Sequence, residues 1–455
     1  MKKSKALISF FLIVIITITT GFSAYSVTDN YISIVNSTIN DAIRYKENSI
    51  GADDSNFLDM LSESTGDFST DWYYILLSRY GVNCNNEKCV NTLKDRVNSF
   101  YSSGLENAKV TDLHRTALAL ISCGADITSI NGRNFLADCT YNYNTHSSLD
   151  KQGVNGLAFA LIVLDSKNFS VPKNAKLTRT DIINQILEKE LENGGFAITG
   201  SVMDVDTTAI VLQSLAPYYD NKNVKEVVDR CVNNLSKLQQ NSGAFRSLGK
   251  ENAESTAQVI IALTSLNINP ITDKRFIKNG NNPVDALMSF KLSNGGFCHI
   301  QGYMADNIAT YQSLCGLISC YRYLKGESRF FSYTAVKNTA IPSEPITEIS
   351  TVKPTKKPTE PIETQSKKKD TVTKNNSKLE FKNPSPTEKT EEQTTVTQTT
   401  VTVPSSDNSY YKINHSNYTQ TAKTETARVY DFTTGFLLLL GYIVLFIIKS
   451  KGKKI

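Results

Sequence analysis

The 455-residue sequence predicts an all-α chain: an α6/α6 toroid of six helical hairpins, followed by a disordered stalk and one C-terminal transmembrane helix. Three observations carry that reading. A helix, a Gly-x-Phe turn, a loop and a second helix recur three times, around Asn193-Gly194-Gly195-Phe196, Ser242-Gly243-Ala244-Phe245 and Asn294-Gly295-Gly296-Phe297, as one unit of roughly 50 residues. The first helix of each hairpin is amphipathic and the second is apolar nearly all round, the pattern of outer helices wrapped around an inner ring buried on both sides. No run argues for a sheet.

Residues 1–24 read as a secretory signal peptide, with Lys2, Lys3 and Lys5 ahead of an apolar run from Ala6 to Ile18 and small residues near Ala24 for cleavage. The toroid is expected over residues 25–335. Its first hairpin joins Thr28–Glu47, whose Tyr31, Val35, Ile39 and Ile43 share one face, to a helix beginning near Asp71-Trp72-Tyr73-Tyr74. The second joins Glu87–Phe100 to Asp112–Ser122. The third, the weakest pattern, joins a segment from Arg133 to about Tyr141 with Val154–Asp165. Asp181–Glu192 returns as Asp206–Ala216, stopped by Pro217. The fifth is the clearest, because Val224, Val227, Val228, Cys231, Val232, Leu235 and Leu238 form one stripe and Glu254–Leu266 returns almost without polar residues. Asn282-Pro283 opens the sixth, with proline where its missing N–H is not needed; it ends near Leu292 and returns as Asp306–Leu324. Successive inner helices start 41 to 52 residues apart, so the repeats are degenerate but of one kind.

Beyond the toroid, residues 336–430 turn to Thr, Pro, Lys, Glu and Ser, and hold eight of the twelve prolines. Such a composition buries too little apolar surface to offset its ordering entropy, and it reads as an extended stalk. Residues 431–449 contain an uncharged apolar run followed by lysines, which predicts a membrane-spanning helix, with residues 450–455 as a basic cytoplasmic tail. The chain is therefore expected in the cell membrane, single-pass, with its bulk extracytoplasmic. Its formal charge of +5 comes from the leader and tail lysines, and the remainder carries −2, so nothing basic points to nucleic acid.

Two motifs within these repeats are familiar. Gln239-Gln240-Asn241-Ser242-Gly243-Ala244-Phe245 matches Q-x-x-x-G-x-W with Phe for Trp, and Asp204-Val205-Asp206-Thr207-Thr208-Ala209 resembles D-x-D-D-T-A, with Thr207 in place of the third Asp. On these residues the chain resembles the terpenoid cyclase and protein prenyltransferase superfamily, which implies an α/α toroid. In class II cyclases the residue matching Asp206 protonates an alkene. A single exported toroid is also similar to the helical domain of transcobalamin and intrinsic factor, which implies a corrinoid as one candidate ligand, and to anchored bacterial surface proteins with prenyltransferase-like repeats.

Five of the six inner helices open with an acid, namely Asp71, Asp112, Asp206, Glu254 and Asp306, and a closed ring would gather these at one mouth. Such a rim could hold a cation, a polyol or amide groups. Helix capping and dipole compensation, worth about 0.5–2 kcal/mol per helix, compete as the explanation at each position. Asp204 with Asp206 stands apart, because one cap uses one carboxylate and leaves the other for acid–base work or a metal. Phe196, Phe245 and Phe297 recur at fixed positions and read as plugs between hairpins, whereas Trp72 and Tyr303 do not follow the repeat and are ligand candidates. Cys84 and Cys89 could pair in a loop, while Cys231, Cys315 and Cys320 read as core residues. Four histidines without zinc-site spacing give no metal assignment, and no cofactor is assigned. The expected function is a membrane-anchored extracytoplasmic protein binding a small molecule or a surface partner. The alternative is an enzyme, either a cyclase with Asp206 as proton donor or a glycan-active hydrolase or lyase using the acidic rim.

Overall fold

The computed structural model describes residues 28–63, 68–143 and 148–334. The chain divides at Pro361, and every described residue belongs to the first unit. The expected leader, stalk, spanning helix and basic tail lie outside the described residues. Among the described residues no helix is long and apolar enough to cross a membrane.

Thirteen α-helices are numbered here along the described chain. Helix α1 covers residues 28–50. Next come α2 (Phe57–Glu63), α3 (Phe68–Tyr80), α4 (Glu87–Ser103), α5 (Val110–Ser122), α6 (Phe135–Cys139) and α7 (Val154–Ser166). The second half holds α8 (Arg179–Leu187), α9 (Val205–Leu215), α10 (Lys222–Leu238), α11 (Ala253–Ser265), α12 (Pro283–Met288) and α13 (Asn307–Leu324). Along the ring α3, α5, α7, α9, α11 and α13, each helix packs on the next, and α13 packs back on α3. That closure makes the inner wall of a toroid. The outer helices differ as their patterns predict. Helix α11 buries all of its 13 residues except Glu254 and Gln258, whereas α10 buries a single stripe of six among 17.

The repeated Gly-x-Phe turn explains how hairpins lock together. Phe196, Phe245 and Phe297 are fully buried, and each donates its backbone N–H to a threonine hydroxyl of the following inner helix: Thr208, Thr256 and Thr310. Gly194, Gly243 and Gly295 all adopt positive φ, between 81° and 94°. Side chains there would also collide with the next outer helix. A β-carbon on Gly243 would lie 2.6 Å from the Asn282 carbonyl oxygen at the start of α12, and one on Gly295 would meet the Asp41 carbonyl of α1. The last turn therefore docks on the first helix, and the outer layer closes as the inner one does. Four residues before each glycine, a different chemistry makes the same tie. Glu190 holds Arg230 of α10 in a bidentate pair, the Gln239 amide donates to the Phe276 carbonyl, and Lys291 pairs with Asp41 of α1 at 2.6 Å.

Because every inner helix is the second of its hairpin, all six run the same way and their dipoles add. At the end where their carbonyls emerge, residues 325–334 cross the ring. Arg329 donates to the Ser265 carbonyl, the Tyr333 N–H to the Ser166 carbonyl and Arg79 to the Ser328 hydroxyl, while Tyr333 and Ser122 share a 2.7 Å hydroxyl contact. This segment ties α3, α5, α7 and α11 together, and Thr334 ends the described chain at the base, opposite the mouth.

Several expectations need correction. A two-stranded antiparallel hairpin, β1 (Phe245–Ser247) with β2 (Lys250–Asn252), precedes α11 where no strand was expected. Its tip residues Leu248 and Gly249 both adopt positive φ, which supplies the reversal. Helix α2 is also additional. Helices α8 and α12 stop about four residues early, because their last turns tighten into three-residue bonds such as Glu190 N–H to the Leu187 carbonyl and Lys291 N–H to the Met288 carbonyl. Cys84 and Cys89 are not bridged: their thiols donate to different carbonyls, Tyr74 and Leu58, and all eight cysteines are buried and unpaired.

Candidate functional site

A cavity of about 570 Å³ opens inside the ring at the N-terminal ends of the inner helices. Its deep wall is aromatic. Trp72 of α3 stacks on Tyr311 of α13 with centroids 6.1 Å apart and planes 8° from parallel, and meets Phe159 of α7 and Phe331 of the base segment edge-on at 6.3 and 6.4 Å. Phe331 thus belongs to the strap that closes the base and to the floor of the cavity at once.

A belt of amides lines the same cavity. The Gln213 Nε2 of α9 donates to the Gln258 Oε1 of α11 at 3.0 Å, and the Gln258 Nε2 donates to the Gln312 Oε1 of α13 at 3.1 Å. The chain of amides has a direction, which leaves the Gln213 carbonyl oxygen as the acceptor not used within it. Asn155 of α7 also lines the cavity, and its Oδ1 is buried with no hydrogen-bond partner among the described residues.

Nearest the mouth are Asp204 and Asp206, and their roles divide. Asp204 is the N-cap of α9 and accepts the Thr207 backbone N–H at 2.7 Å. Asp206, two residues further on, has a buried Oδ1 whose only nearby donor among the described residues is the Ser255 hydroxyl. Burial pushes its carboxyl up from 3.8 to about 6; the neighbouring Asp204 and Glu254 push the same way, against the Ser255 hydroxyl and His299. Glu254 sits beside it, 2.7 Å from the His299 Nδ1, and burial likewise raises its carboxyl. Among the described lining residues two are acidic and none is basic.

The eight sequence-derived candidates therefore scatter. Asp204, Asp206 and Trp72 line the cavity. Glu254 stands behind Asp206, engaged by His299. Asp306 does not line the cavity: it is the N-cap of α13, accepting the Ala309 N–H at 2.8 Å. Asp71 does not open its helix. It is the fourth residue of α3, fully buried, and pairs with Arg96 and with Arg115 at 3.2 Å while accepting the Thr116 hydroxyl. Asp112 pairs with the same Arg115 at 2.9 Å. Tyr303 is 69% exposed on the loop before α13 and takes no part in the lining. The expected continuous rim is thus two different things, an ion network on the α3–α5 side and a cavity edge on the α9–α11 side. Sequence reasoning missed Phe159, Tyr311, Phe331 and the three glutamines. A glutamine recurring on helices otherwise apolar all round was the available signal for the last group.

Residues 131–302 and 261–343 match the family model described as prenyltransferase alpha-alpha toroid domain. These matches run from the third hairpin to beyond the base segment and include every cavity residue except Trp72. No curated protein matches the chain.

Proposed function

Given that the chain carries an α/α toroid domain of the prenyltransferase and cyclase type, we propose that it is a membrane-anchored, extracytoplasmic binding protein whose central cavity takes a compact small molecule. One observation carries this reading. Backbone capping at α9 is done by Asp204, so the Asp206 carboxyl is left to line a cavity of ligand size in which no described lining residue is a cation. Pockets of roughly 300–1,000 Å³ hold drug-sized ligands, with an apolar wall and a few convergent polar groups. The volume favours a compact ligand over a corrinoid, whose macrocycle and amide arms exceed it. The test is a thermal-shift screen on the full chain against a compound library that includes corrinoids and sugars. A ligand at about 100 times its Kd adds about 2.7 kcal/mol, and Trp72→Ala should remove the shift. A screen in which every shift survives Trp72→Ala would place binding elsewhere.

The enzyme reading has its own support in the proton that Asp206 holds until about pH 6. A carboxyl that keeps its proton to about pH 6 and faces an aromatic cavity is available as a general acid. Turnover of squalene that Asp206→Asn abolishes would establish it. The glycan-active version keeps Asp204, Asp206 and Glu254 of its rim and loses Asp71, which is sealed in ion pairs. Prenyl diphosphates are disfavoured by a lining with two carboxylates and no cation.

A further inference from the structure

We infer that the ligand of this cavity is an organic cation, a quaternary or protonated amine on an apolar or aromatic skeleton. The inference rests on the reading that the cavity binds a small molecule, and it names the class. Among the described residues that line the cavity, Asn155 Oδ1 is buried without a partner and Asp206 Oδ1 has no donor nearby but the Ser255 hydroxyl, and both are acceptors. The amide belt has an open acceptor end, the Gln213 oxygen, and a donor end at the Gln312 amide. The Gln312 amide in turn approaches the Tyr311 hydroxyl. What the protein leaves unsatisfied is a demand for donors.

Charge narrows the class further. A carboxylate in a largely apolar cavity is unfavourable without a counter-ion, and native structures supply one. Here no basic side chain lines the cavity, and His299, the closest candidate, is engaged by Glu254. An anionic ligand would add repulsion. A neutral polyol would meet the acceptors but leave the carboxylate without a counter-ion. A cationic head on an apolar body meets both, since ammonium groups are attracted to aromatic faces as well as to carboxylates. Trp72, Phe159, Tyr311 and Phe331 supply such a wall from four separate segments.

The experiment compares two probes of the same shape, benzyltrimethylammonium and neopentylbenzene, by equilibrium dialysis against the full chain at pH 7.5. The cation should bind at least tenfold more tightly. Asp206→Asn should cut its affinity at least tenfold and leave that of the neutral probe within twofold, with a cooperative thermal transition no lower than that of the wild type confirming the fold. A second variant works in the opposite direction: Asn155→Asp adds a carboxylate to the wall and should raise affinity for the cation alone. Equal affinities, or a preference for neopentylbenzene, would overturn the cation and keep the cavity as a binding site. Failure of both probes to bind would overturn both.

Discussion

Asp71 and Asp206 occupy matching ends of inner helices on different sides of one ring, and their surroundings are opposite. Asp71 is fully buried among Arg96, Arg115 and Thr116, with both oxygens engaged. Asp206 shares its neighbourhood with Asp204 and Glu254, and among the described residues it has the Ser255 hydroxyl nearby but no cation paired with it. On the α3–α5 side the carboxylate joins helices together, and on the α9–α11 side the same residue type is left facing a cavity. A carboxylate matched by the chain itself serves the fold, and one left unmatched against open volume serves a ligand. The largest expected effect follows from the first half of this contrast. Asp71→Asn should destabilise the toroid by about 3–5 kcal/mol in urea unfolding, because it leaves buried guanidinium groups without their counter-ion. A loss below about 1 kcal/mol would mean that Asp71 is not the structural member of the pair.

The second half predicts the opposite sign. Burial raises the Asp206 carboxyl from 3.8 to about 6, so the folded chain binds this proton more tightly than the unfolded chain does. Stability from this group is therefore present at low pH and lost as pH rises from about 4 to about 6. Asp206→Asn removes the penalty, and at pH 7.5 it should stabilise the protein by about 1–3 kcal/mol while weakening ligand binding. The difference between mutant and wild type should open between pH 4 and 6 and stay flat above 7. Asp165, raised to about 6 by burial against the pull of Arg179, titrates in the same window but is common to both proteins and cancels. A destabilising Asp206→Asn would erase the distinction between the two carboxylates.

Much of the ring is legible in the amino-acid sequence, and the reason is periodicity. Apolar residues at helical spacing on α10, and nearly unbroken apolar runs on α7 and α11, fix which helices lie inside. The Gly-x-Phe copies fix where hairpins join, since positive φ and a fully buried phenyl ring leave little choice of residue. Partner choice is not legible. Asp71 meets Arg96 and Arg115, which lie 25 and 44 positions away, and nothing in its local sequence separates it from Asp206. Phe331 is hidden for a similar reason: it follows the last repeat and reaches the cavity only because the segment after α13 folds back across the base. The β1–β2 hairpin escapes because six residues around a two-residue tip hold too few positions for an alternating pattern to register.

Asp306 and Tyr303 test how sharply the boundary between structural and ligand-facing residues is drawn. Asp306 caps α13 through the Ala309 N–H and does not line the cavity, so Asp306→Ala should cost about 0.5–2 kcal/mol and leave affinity for a cavity ligand unchanged. Tyr303 is the limiting case. Its ring is largely exposed and its loop touches the site only through His299, four residues earlier, which holds Glu254. Tyr303→Ser should shift stability by less than about 0.5 kcal/mol and leave binding unaltered. If calorimetry instead showed binding weakened with the melting temperature unmoved, the ligand would have to reach past Asp206 onto the loop before α13. The neighbouring exposed side chains Met304 and Ile308 would then be the next residues to replace.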